Sequence, residues 1–449
     1  MKNFLIILVT KIIFFILKIF GKNGGNFPGR FAYKRSKNIL KYFKINCPVI
    51  AVVGTNGKTT TNNSINAIFQ NANCKVVSNL QGNNMETGII SVLIKNSTLT
   101  GKIKADYITL EVDESYLPVI FQKMKLDTLV LLDFFRDQLD RVGEIESLIL
   151  KINEFLKTYN GNLILNNDDP NVARLGQANP DNKNVYYFSV DKYKYASKEM
   201  KEAGEGKFCP FCSTRLEYEY YQYAHIGKFK CPKCNYGENP IYKLVKDVDL
   251  KEQTFKIEDD TFKIQYNSIY SIYNFAAAIS VASLYNIDVS VIKQTLEKFK
   301  LNNGRHEKLV IAGNETIINL AKNPTGVNVS LRIVNEDDEP KDILFVLNDN
   351  SADGTDVSWI YDIDFSSLNN VNRIITSGLR AYDMAICIKN NGVPVNKIEA
   401  YLDLNEAVKA LYRTSCKKYA ISNYTAVQDT RREIMQYKQN WRTCFWGHF

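Results

Sequence analysis

Short apolar runs recur along most of the chain, and segments with a helical pattern separate many of them. Pro48–Val53, Tyr107–Leu110 and Leu163–Leu165 are such runs, and Ile343–Leu347 is one near the C-terminus. Runs of this kind, when rich in β-branched residues, predict buried parallel strands. Their alternation with helices predicts an α/β fold, with parallel sheets in more than one domain.

The N-terminal segment has a different pattern. Phe4–Phe20 is apolar except for Thr10, Lys11 and Lys18, so it predicts a very hydrophobic helix with a narrow polar stripe. A helix lying in a membrane interface is the favoured interpretation, because a lysine would sit near the middle of a span. A helix packed on the protein itself and a spanning anchor or signal peptide remain as alternatives. The glycine-rich, basic segment Gly21–Arg35 predicts a loop suited to anionic headgroups.

Length and charge set broad limits. The chain has 449 residues, which at roughly 100–200 residues per domain indicates two to four domains. Its 45% hydrophobic and 23% charged residues are typical of a globular protein. A net charge of +9 fits an anionic substrate or membrane surface, and it does not by itself indicate nucleic acid.

The cysteines predict one metal site. Nine cysteines are unevenly placed, and four of them form two Cys-x-x-Cys pairs, Cys209 with Cys212 and Cys231 with Cys234. This is the spacing of a four-cysteine zinc ribbon, a closed site with a structural role. We expect it to occupy residues 205–238 in a reducing compartment. We expect His225 to be a strand or loop residue rather than a ligand, and the nearby aromatic residues to form the ribbon's core rather than bind nucleic acid.

A phosphate-binding loop follows the first apolar strand. The segment Gly54–Thr60 reads Gly-Thr-Asn-Gly-Lys-Thr-Thr and precedes a helical pattern at Asn62–Gln70. Glycines let backbone N–H groups approach phosphate oxygens, and the helix N-terminus adds positive potential. Lys58 can then bridge the β- and γ-phosphates, while the Thr59 hydroxyl can hold Mg²⁺. Val52 departs from the longer form of this motif, which has glycine there.

These motifs resemble the Mur ligase superfamily, whose members activate a carboxylate as an acyl phosphate and couple it to an amine. Glu111 matches the glutamate that binds Mg²⁺ there, with Glu114 as a plausible helper. Asp133 and Ser268 stand where the superfamily pattern has asparagine and glycine. The resemblance implies Lys58 as a catalytic residue, Mg²⁺ on Thr59 and Glu111, and ATP contacts from Gly54, Thr55, Asn56, Gly57, Lys58, Thr59, Thr60, Asn274 and Arg305.

One branch fits best, the MurT synthetase subunits of lipid II isoglutaminyl synthase. Only about fifty residues precede the ATP loop, which is too few for the usual domain that holds a nucleotide-linked substrate. A zinc ribbon inserted in the ATP domain also resembles this branch. Three C-terminal segments strengthen the resemblance, Asn319–Gly326, Leu347–Asp356 and Ser377–Met384.

The resemblance implies an amidation. ATP would phosphorylate the α-carboxylate of D-glutamate in the lipid II stem peptide, and ammonia would displace the phosphate to give D-isoglutamine for peptidoglycan. A separate, GatD-like glutaminase subunit would supply the ammonia as a heterodimer partner. Asp349 would complete its catalytic triad from across the interface. Turn chemistry alone would also explain Asp349, Asp353 and Asp356.

We expect three parts in the chain. Residues 1–46 are a membrane-proximal helix and linker, residues 47–308 a Mur-ligase-like ATP-binding domain with the ribbon inserted, and residues 309–449 a Rossmann-like α/β domain. The expected location is the cytoplasm, at the inner face of the cell membrane. Two other hypotheses remain: a stand-alone ligase that adds an amino acid, and a non-enzymatic zinc-ribbon binding protein.

Overall fold

Two α/β units make up the protein in its computed structural model. The structure describes residues 2–21, 24–80, 83–136, 145–200, 205–266, 268–300, 306–366 and 368–446, with side chains as far as residue 438. The first unit contains the described residues 2–135, 145–200 and 205–299, and the second contains those from 306 onward.

The first unit is built on a nine-stranded sheet with the order β11-β10-β9-β6-β5-β4-β1-β3-β2. Its central strands pair in parallel from β2 across to β9, and β10 and β11 add an antiparallel edge. The strands of this unit are β1 Val49–Val53, β2 Val76–Ser78, β3 Tyr107–Glu111, β4 Thr128–Leu131, β5 Asn162–Asn166, β6 Val185–Val190, β7 Glu217–Tyr223, β8 Ile226–Lys230, β9 Ile241–Asp249, β10 Thr254–Ile257 and β11 Asp260–Lys263. The helices are α1 Lys2–Ile19, α2 Phe27–Arg35, α3 Lys58–Asn71, α4 Glu86–Asn96, α5 Leu117–Phe121, α6 Ile145–Leu156, α7 Pro170–Ala173, α8 Ile269–Leu284 and α9 Val289–Lys298.

Strand β1 is the centre of this sheet. All five of its residues are apolar and fully buried, because the sheet has helices on both faces. It pairs in parallel with β3 on one side and with β4 on the other. The carboxyl ends of parallel strands lie at the same edge, so the segments that follow β1, β3 and β4 meet there.

The N-terminal helix α1 packs on α2 and α4 of the first unit. Ile6, Ile7 and Thr10 face inward and are buried. Its outer side carries exposed apolar residues: Phe4, Leu5, Val9, Ile12, Phe15, Ile16, Ile19 and Phe20. Within the part of the chain that the structure describes, no helix combines the length and the hydropathy that a bilayer span requires.

The segment predicted as a loop at Gly21–Arg35 contains a helix, so that prediction is wrong for α2. Pro28 lies in the first turn, where its fixed backbone favours a helix start. Gly29 then lets α2 approach α4 closely, since its backbone N–H donates to Ser91 Oγ at 2.8 Å and a Cβ would lie 1.8 Å from the Thr87 carbonyl oxygen. A contact with a distant segment therefore selects a helix in a glycine-rich sequence.

The cysteine-rich insert forms its own small sheet. Strands β7 and β8 make an antiparallel hairpin between the two Cys-x-x-Cys pairs. After the insert, β9 continues the main sheet beside β6, and β10 and β11 follow it. These last three strands were not identified in the sequence.

The second unit has a six-stranded sheet with the order β12-β13-β17-β14-β15-β16. All its pairs are parallel except β12 with β13. Its strands are β12 Glu307–Ile311, β13 Asn314–Leu320, β14 Lys341–Val346, β15 Val371–Ser377, β16 Ile398–Ala400 and β17 Lys417–Ser422, and its helices are α10 Pro324–Asn335, α11 Ala381–Asn390, α12 Leu404–Leu411 and α13 Val427–Trp446. Apolar clusters cover both faces of the sheet.

Candidate active site

The phosphate-binding loop needs glycine both after β1 and before α3. Gly54 follows β1 with φ +152° and Gly57 precedes α3 with φ +77°. A Cβ at Gly54 would lie 2.9 Å from Leu132 Cβ, and one at Gly57 would lie 2.0 Å from Asn274 Oδ1. The two glycines of the motif therefore allow both the backbone conformation of this loop and its close packing on Leu132 and Asn274.

Helix α3 begins at Lys58 and leaves its first turn open to a ligand. Gly57 is the N-cap residue, and no side chain caps the helix there. The backbone N–H groups of a helix's first turn lack partners within the helix, and the helix dipole adds positive potential. Thr59 and Thr60 lie in this turn. The donors present therefore fit phosphate oxygens.

The Lys58 ammonium is held at the loop. It donates to the carbonyl oxygens of Gly54 and Thr55, the latter at 3.3 Å, and it forms an ion pair with Glu114 Oε1 at 3.2 Å. Both partners of the ion pair are buried. A buried ammonium is stable only with such partners, so Glu114 positions Lys58 at the loop.

Thr59 and Glu111 form a second polar pair beside the first. Thr59 Oγ1 donates to Glu111 Oε2 at 2.7 Å, and Asn84 Nδ2 donates to Glu111 Oε1 at 3.3 Å. Asn79 holds the Glu111 backbone with two hydrogen bonds of 2.8 Å. A hydroxyl and a carboxylate oxygen are ligands that Mg²⁺ prefers, so this pair fits a magnesium ion.

Asp133 lies beneath the loop. Its backbone carbonyl accepts the Thr55 N–H at 2.9 Å, and its side-chain Oδ1 accepts the Asn56 N–H at 2.8 Å. An asparagine side-chain oxygen could accept the same bond, so the departure from the superfamily pattern keeps this contact. Burial raises the pKa of the Asp133 carboxyl well above its usual range, and the Asn56 N–H bond opposes that rise.

Of the two residues predicted to contact nucleotide after the insert, the structure describes one. Asn274 lies in α8, with Oδ1 and its backbone carbonyl each 3.4 Å from Thr61 Oγ1, beside the loop. Arg305 lies outside the described residues. The structure thus brings Asn274 together with residues 54–60, Glu111 and Glu114, and the role of Arg305 stays a prediction.

The four paired cysteines meet at one point. The potential ligand atoms of Cys209, Cys212, Cys231 and Cys234 all lie within 4.8 Å of one another. The Sγ atoms of Cys212 and Cys231 are 3.4 Å apart, and those of Cys209 and Cys234 are 3.6 Å apart. Tetrahedral Zn–S bonds of about 2.3 Å place sulfurs about 3.8 Å apart, so the cluster can hold a metal ion of this kind. His225 lies in the turn at the other end of the hairpin.

The three aspartates after β14 differ in their partners. Asp353 accepts the Thr425 N–H at 2.8 Å and is buried, and Asp356 accepts the Ser358 N–H at 2.8 Å. The Asp353 carboxylate therefore ties the segment after β14 to the segment after β17, and the Asp356 carboxylate serves a local turn. Asp349 instead forms an ion pair with Arg380 Nε at 2.9 Å and is part-exposed.

Two family models match the chain. The Mur ligase middle domain matches residues 52–232, and the MurT ligase C-terminal domain matches residues 320–427. The MurT subunit of lipid II isoglutaminyl synthase (glutamine-hydrolyzing) from Staphylococcus aureus is 32% identical over 91% of this chain and 92% of its own length. The chain belongs to the MurT family of Mur ligases.

Other relatives agree. The MurT subunit from Streptococcus pneumoniae is 32% identical over 95% of this chain and 96% of its own length. Among solved structures, a pseudomurein peptide ligase type C from Methanothermus fervidus has a TM-score of 0.68 at 24% identity, over 89% of this chain and 80% of that one. MurF ligase from Thermotoga maritima in complex with ADP has a TM-score of 0.62 at 16% identity, over 92% of this chain and 84% of that one. The predicted Mur-ligase-like fold and the ligase class are confirmed.

Sequence reasoning missed several residues of this MurT-family site. Asn79 and Asn84 hold Glu111, and Arg380 holds Asp349. A signal was available for Asn79, because it directly follows β2 and thus lies at the carboxyl edge of the sheet. Arg380 follows β15 in the same way.

We expect Gly57→Ala to weaken nucleotide binding at least tenfold. The added Cβ would require Asn274 and the loop to move apart, in addition to the strain of a positive φ. Gly313→Ala is the matched control, since Gly313 has φ +82° with open space around it. Isothermal titration with ATP and Mg²⁺ measures both. Equal binding by the two variants would show that the contact with Asn274 does not matter.

Proposed function

We propose that this chain is the synthetase subunit of a lipid II isoglutaminyl synthase. ATP phosphorylates the α-carboxylate of the D-glutamate residue in the stem peptide, releasing ADP, and ammonia then displaces phosphate to leave the amide of D-isoglutamine. The observation that carries the proposal is the similarity to MurT subunits over 91–95% of the chain, which includes the phosphate-binding loop and the segment around Asp349.

The geometry of the first unit supports the ATP half of this reaction. The first turn of α3 and the Lys58 ammonium would neutralise charge on the transferred phosphate, which is the main task in phosphoryl transfer. Glu114 keeps Lys58 in place through the ion pair at 3.2 Å. Thr59 and Glu111 would hold Mg²⁺, which supplies further charge neutralisation when bound.

We propose zinc as the ion of the cysteine cluster. Four thiolates in two Cys-x-x-Cys turns form a closed shell with no open position for a reacting water. The role of this zinc is therefore structural. The ligase similarity favours the enzyme over a zinc-ribbon binding protein.

The nitrogen source in this proposal is a GatD-like glutaminase partner. The S. aureus and S. pneumoniae relatives are named as subunits of a glutamine-hydrolysing enzyme. Asp349 is the residue we assign to the partner's triad, because its carboxylate pairs with the Arg380 side chain, whereas those of Asp353 and Asp356 accept backbone N–H groups. Its pairing with Arg380 fixes the carboxylate in one orientation.

The stand-alone ligase is the weaker candidate. It would share the phosphate-binding loop, and curated ligases that add D-glutamate or diaminopimelate do match the chain, at 26–27% identity. Residues 320–427, however, match the MurT ligase C-terminal domain. This favours amidation with a partner subunit.

We also propose that α1 docks on the inner face of the cell membrane, close to the lipid-linked substrate. Its outer side carries exposed apolar side chains from Phe4 to Ile19, and residues 1–46 carry ten Lys and Arg but no Asp or Glu. Apolar side chains next to basic ones match the acyl and anionic headgroup layers of a bilayer. The cytoplasmic location follows from the need for ATP.

The first test is mass spectrometry of lipid II after incubation with this chain, ATP, Mg²⁺ and ammonium chloride. The expected result is conversion of one carboxyl to an amide with release of phosphate, since ammonia should replace the partner's product. Omitting ATP is the control. Turnover of ATP only when an amino acid is added, with that amino acid joined to the substrate, would contradict the amidation and favour the stand-alone ligase.

The variant Asp349→Asn tests the partner assignment. With a glutaminase subunit present, we expect glutamine-driven amidation to fall at least a hundredfold while ammonia-driven amidation stays within about twofold, because a triad aspartate acts only on the glutaminase. Asp356→Asn is the control, since asparagine can also accept the Ser358 N–H. Equal loss of both activities in Asp349→Asn would refute the assigned role.

Vesicle flotation tests the membrane contact. The double variant Phe15→Ser and Ile19→Ser should bind phosphatidylglycerol vesicles at least tenfold more weakly, because each exposed apolar side chain contributes about 1.5–3 kcal/mol when buried in lipid. Val310→Ser with Leu402→Ser is the control, since these residues are similarly exposed elsewhere. Unchanged flotation of the first variant would rule out α1 as the contact.

A further inference from the structure

The β7–β8 hairpin has a metal cluster at one end and a buried turn at the other. Cys209 and Cys212 precede β7, and Cys231 and Cys234 follow β8. At about 3.3 Å per residue, the length of β7 separates the cluster from the turn by about 20 Å. In that turn, Tyr223 and His225 are buried, which is unusual for the tip of a hairpin.

The turn is buried because it inserts into the ATP-binding unit. The His225 ring lies 4.6 Å from the Phe135 ring, and Tyr223 stacks on the same ring at 6.1 Å. His225 Nε2 is 3.3 Å from Asp169 Oδ1, and both side chains are fully buried. Just beyond the turn, the Gly227 N–H donates to the Asp168 carbonyl at 2.9 Å.

The residues that receive the turn also hold the phosphate-binding loop. The Phe135 N–H donates to Thr55 Oγ1 at 3.0 Å, and the Phe134 N–H donates to Asp169 Oδ2 at 2.8 Å. Immediately before them, Asp133 accepts the N–H groups of Thr55 and Asn56. The segment 133–135 therefore lies between the loop on one side and the hairpin turn on the other.

His225 is well suited to fix this arrangement. Its two ring nitrogens are buried, and Asp169 is the carboxylate beside them. The Asp169 carboxylate also accepts two backbone N–H groups at 2.8 Å, that of Asn171 at Oδ1 and that of Phe134 at Oδ2, and the imidazole adds a third polar neighbour to this buried group. Movement of the turn would thus take the imidazole away from Asp169 and remove the ring contact with Phe135 together.

We propose that the zinc ribbon is a supporting element of the nucleotide site, with His225 as the positioning residue that links the two. The metal cluster fixes the open ends of the hairpin, and the hairpin holds Phe135 and Asp169 against the phosphate-binding loop. Metal occupancy and ATP affinity are then coupled. This inference rests on the proposed ATP and zinc sites.

The coupling must act in both directions. If zinc strengthens ATP binding by a given factor, ATP strengthens zinc binding by the same factor. Coupling between sites commonly amounts to 5–150-fold, and we expect about tenfold here. This reciprocity provides a readout that needs neither catalysis nor a variant.

The experiment uses the full chain in zinc-loaded, zinc-stripped and zinc-reloaded forms, with a zinc-selective chelator that leaves Mg²⁺ bound. Isothermal titration measures the Kd for ATP in the wild type, in His225→Ala and in Lys228→Ala. Lys228 is the matched control, because it lies on the same hairpin and is exposed. Metal content and circular dichroism are recorded for every sample.

We expect zinc removal to raise the Kd for ATP about tenfold in the wild type and in Lys228→Ala, with recovery on reloading. His225→Ala should retain zinc but bind ATP about tenfold more weakly, and zinc removal should then add no further loss. That lack of additivity distinguishes a link through His225 from a general loss of stability. If His225→Ala does not fold, His225→Phe replaces it in the experiment, because it keeps the ring contact with Phe135 and loses the contact with Asp169.

Zinc release to a colorimetric chelator gives the reverse measurement. ATP should slow the release in the wild type and in Lys228→Ala, and it should have no effect in His225→Ala. An ATP affinity independent of zinc, or additive effects of zinc removal and His225→Ala, would overturn the coupling while leaving the proposed function intact. Failure of every form to bind ATP would instead overturn the proposed function, and this inference with it.

Discussion

The structure of the first unit depends on placing a buried ammonium next to a tightly folded loop. Lys58 is held by two loop carbonyl oxygens and by Glu114. An ammonium out of contact with water is stable only with such partners, so the loop and the carboxylate must be supplied together. The parallel pairing of β1 with β3 does this, because it brings the segments after both strands to one edge of the sheet.

The carboxyl edge of this sheet also places two further acidic residues at the loop. Glu111 pairs with Thr59 above the sheet edge, and Asp133 accepts backbone N–H groups from beneath the loop. The Glu111 carboxylate thus lies at the expected position of a magnesium ion, while the Asp133 carboxylate binds a backbone N–H of the loop. Glu111 and Asp133 have different roles because β3 and β4 lie on opposite sides of β1, so their side chains reach different parts of the loop.

The second unit uses its strand ends in a comparable way. The segment after β14 contains several aspartates, and their composition as turn residues alone does not separate Asp349 from the others. Asp353 accepts the N–H of the distant Thr425 and Asp356 that of the nearby Ser358, whereas Asp349 pairs with the Arg380 side chain just after β15. Burial raises the pKa of Asp353, and the hydrogen bonds from Thr425 oppose that rise.

Prediction from the sequence worked best where a pattern is local. The apolar run before Gly54 predicted β1, the motif after it predicted the loop and α3, and the spacing of Cys209, Cys212, Cys231 and Cys234 predicted their convergence. It failed for α2 and for β9 to β11. Helix α2 depends on the approach of Gly29 to α4, and β9 depends on pairing with β6 across the whole insert.

The amino-acid sequence by itself determined the α/β class, the phosphate-binding loop and the four-cysteine cluster, because glycine conformation, apolar periodicity and ligand spacing act over a few neighbouring residues. Only the tertiary structure decided that Asn79 supports Glu111, that Arg380 pairs with Asp349, and that His225 reaches Asp169 and Phe135. These contacts join residues 31 to 90 positions apart, and such pairs follow from strand order and packing rather than from any local pattern.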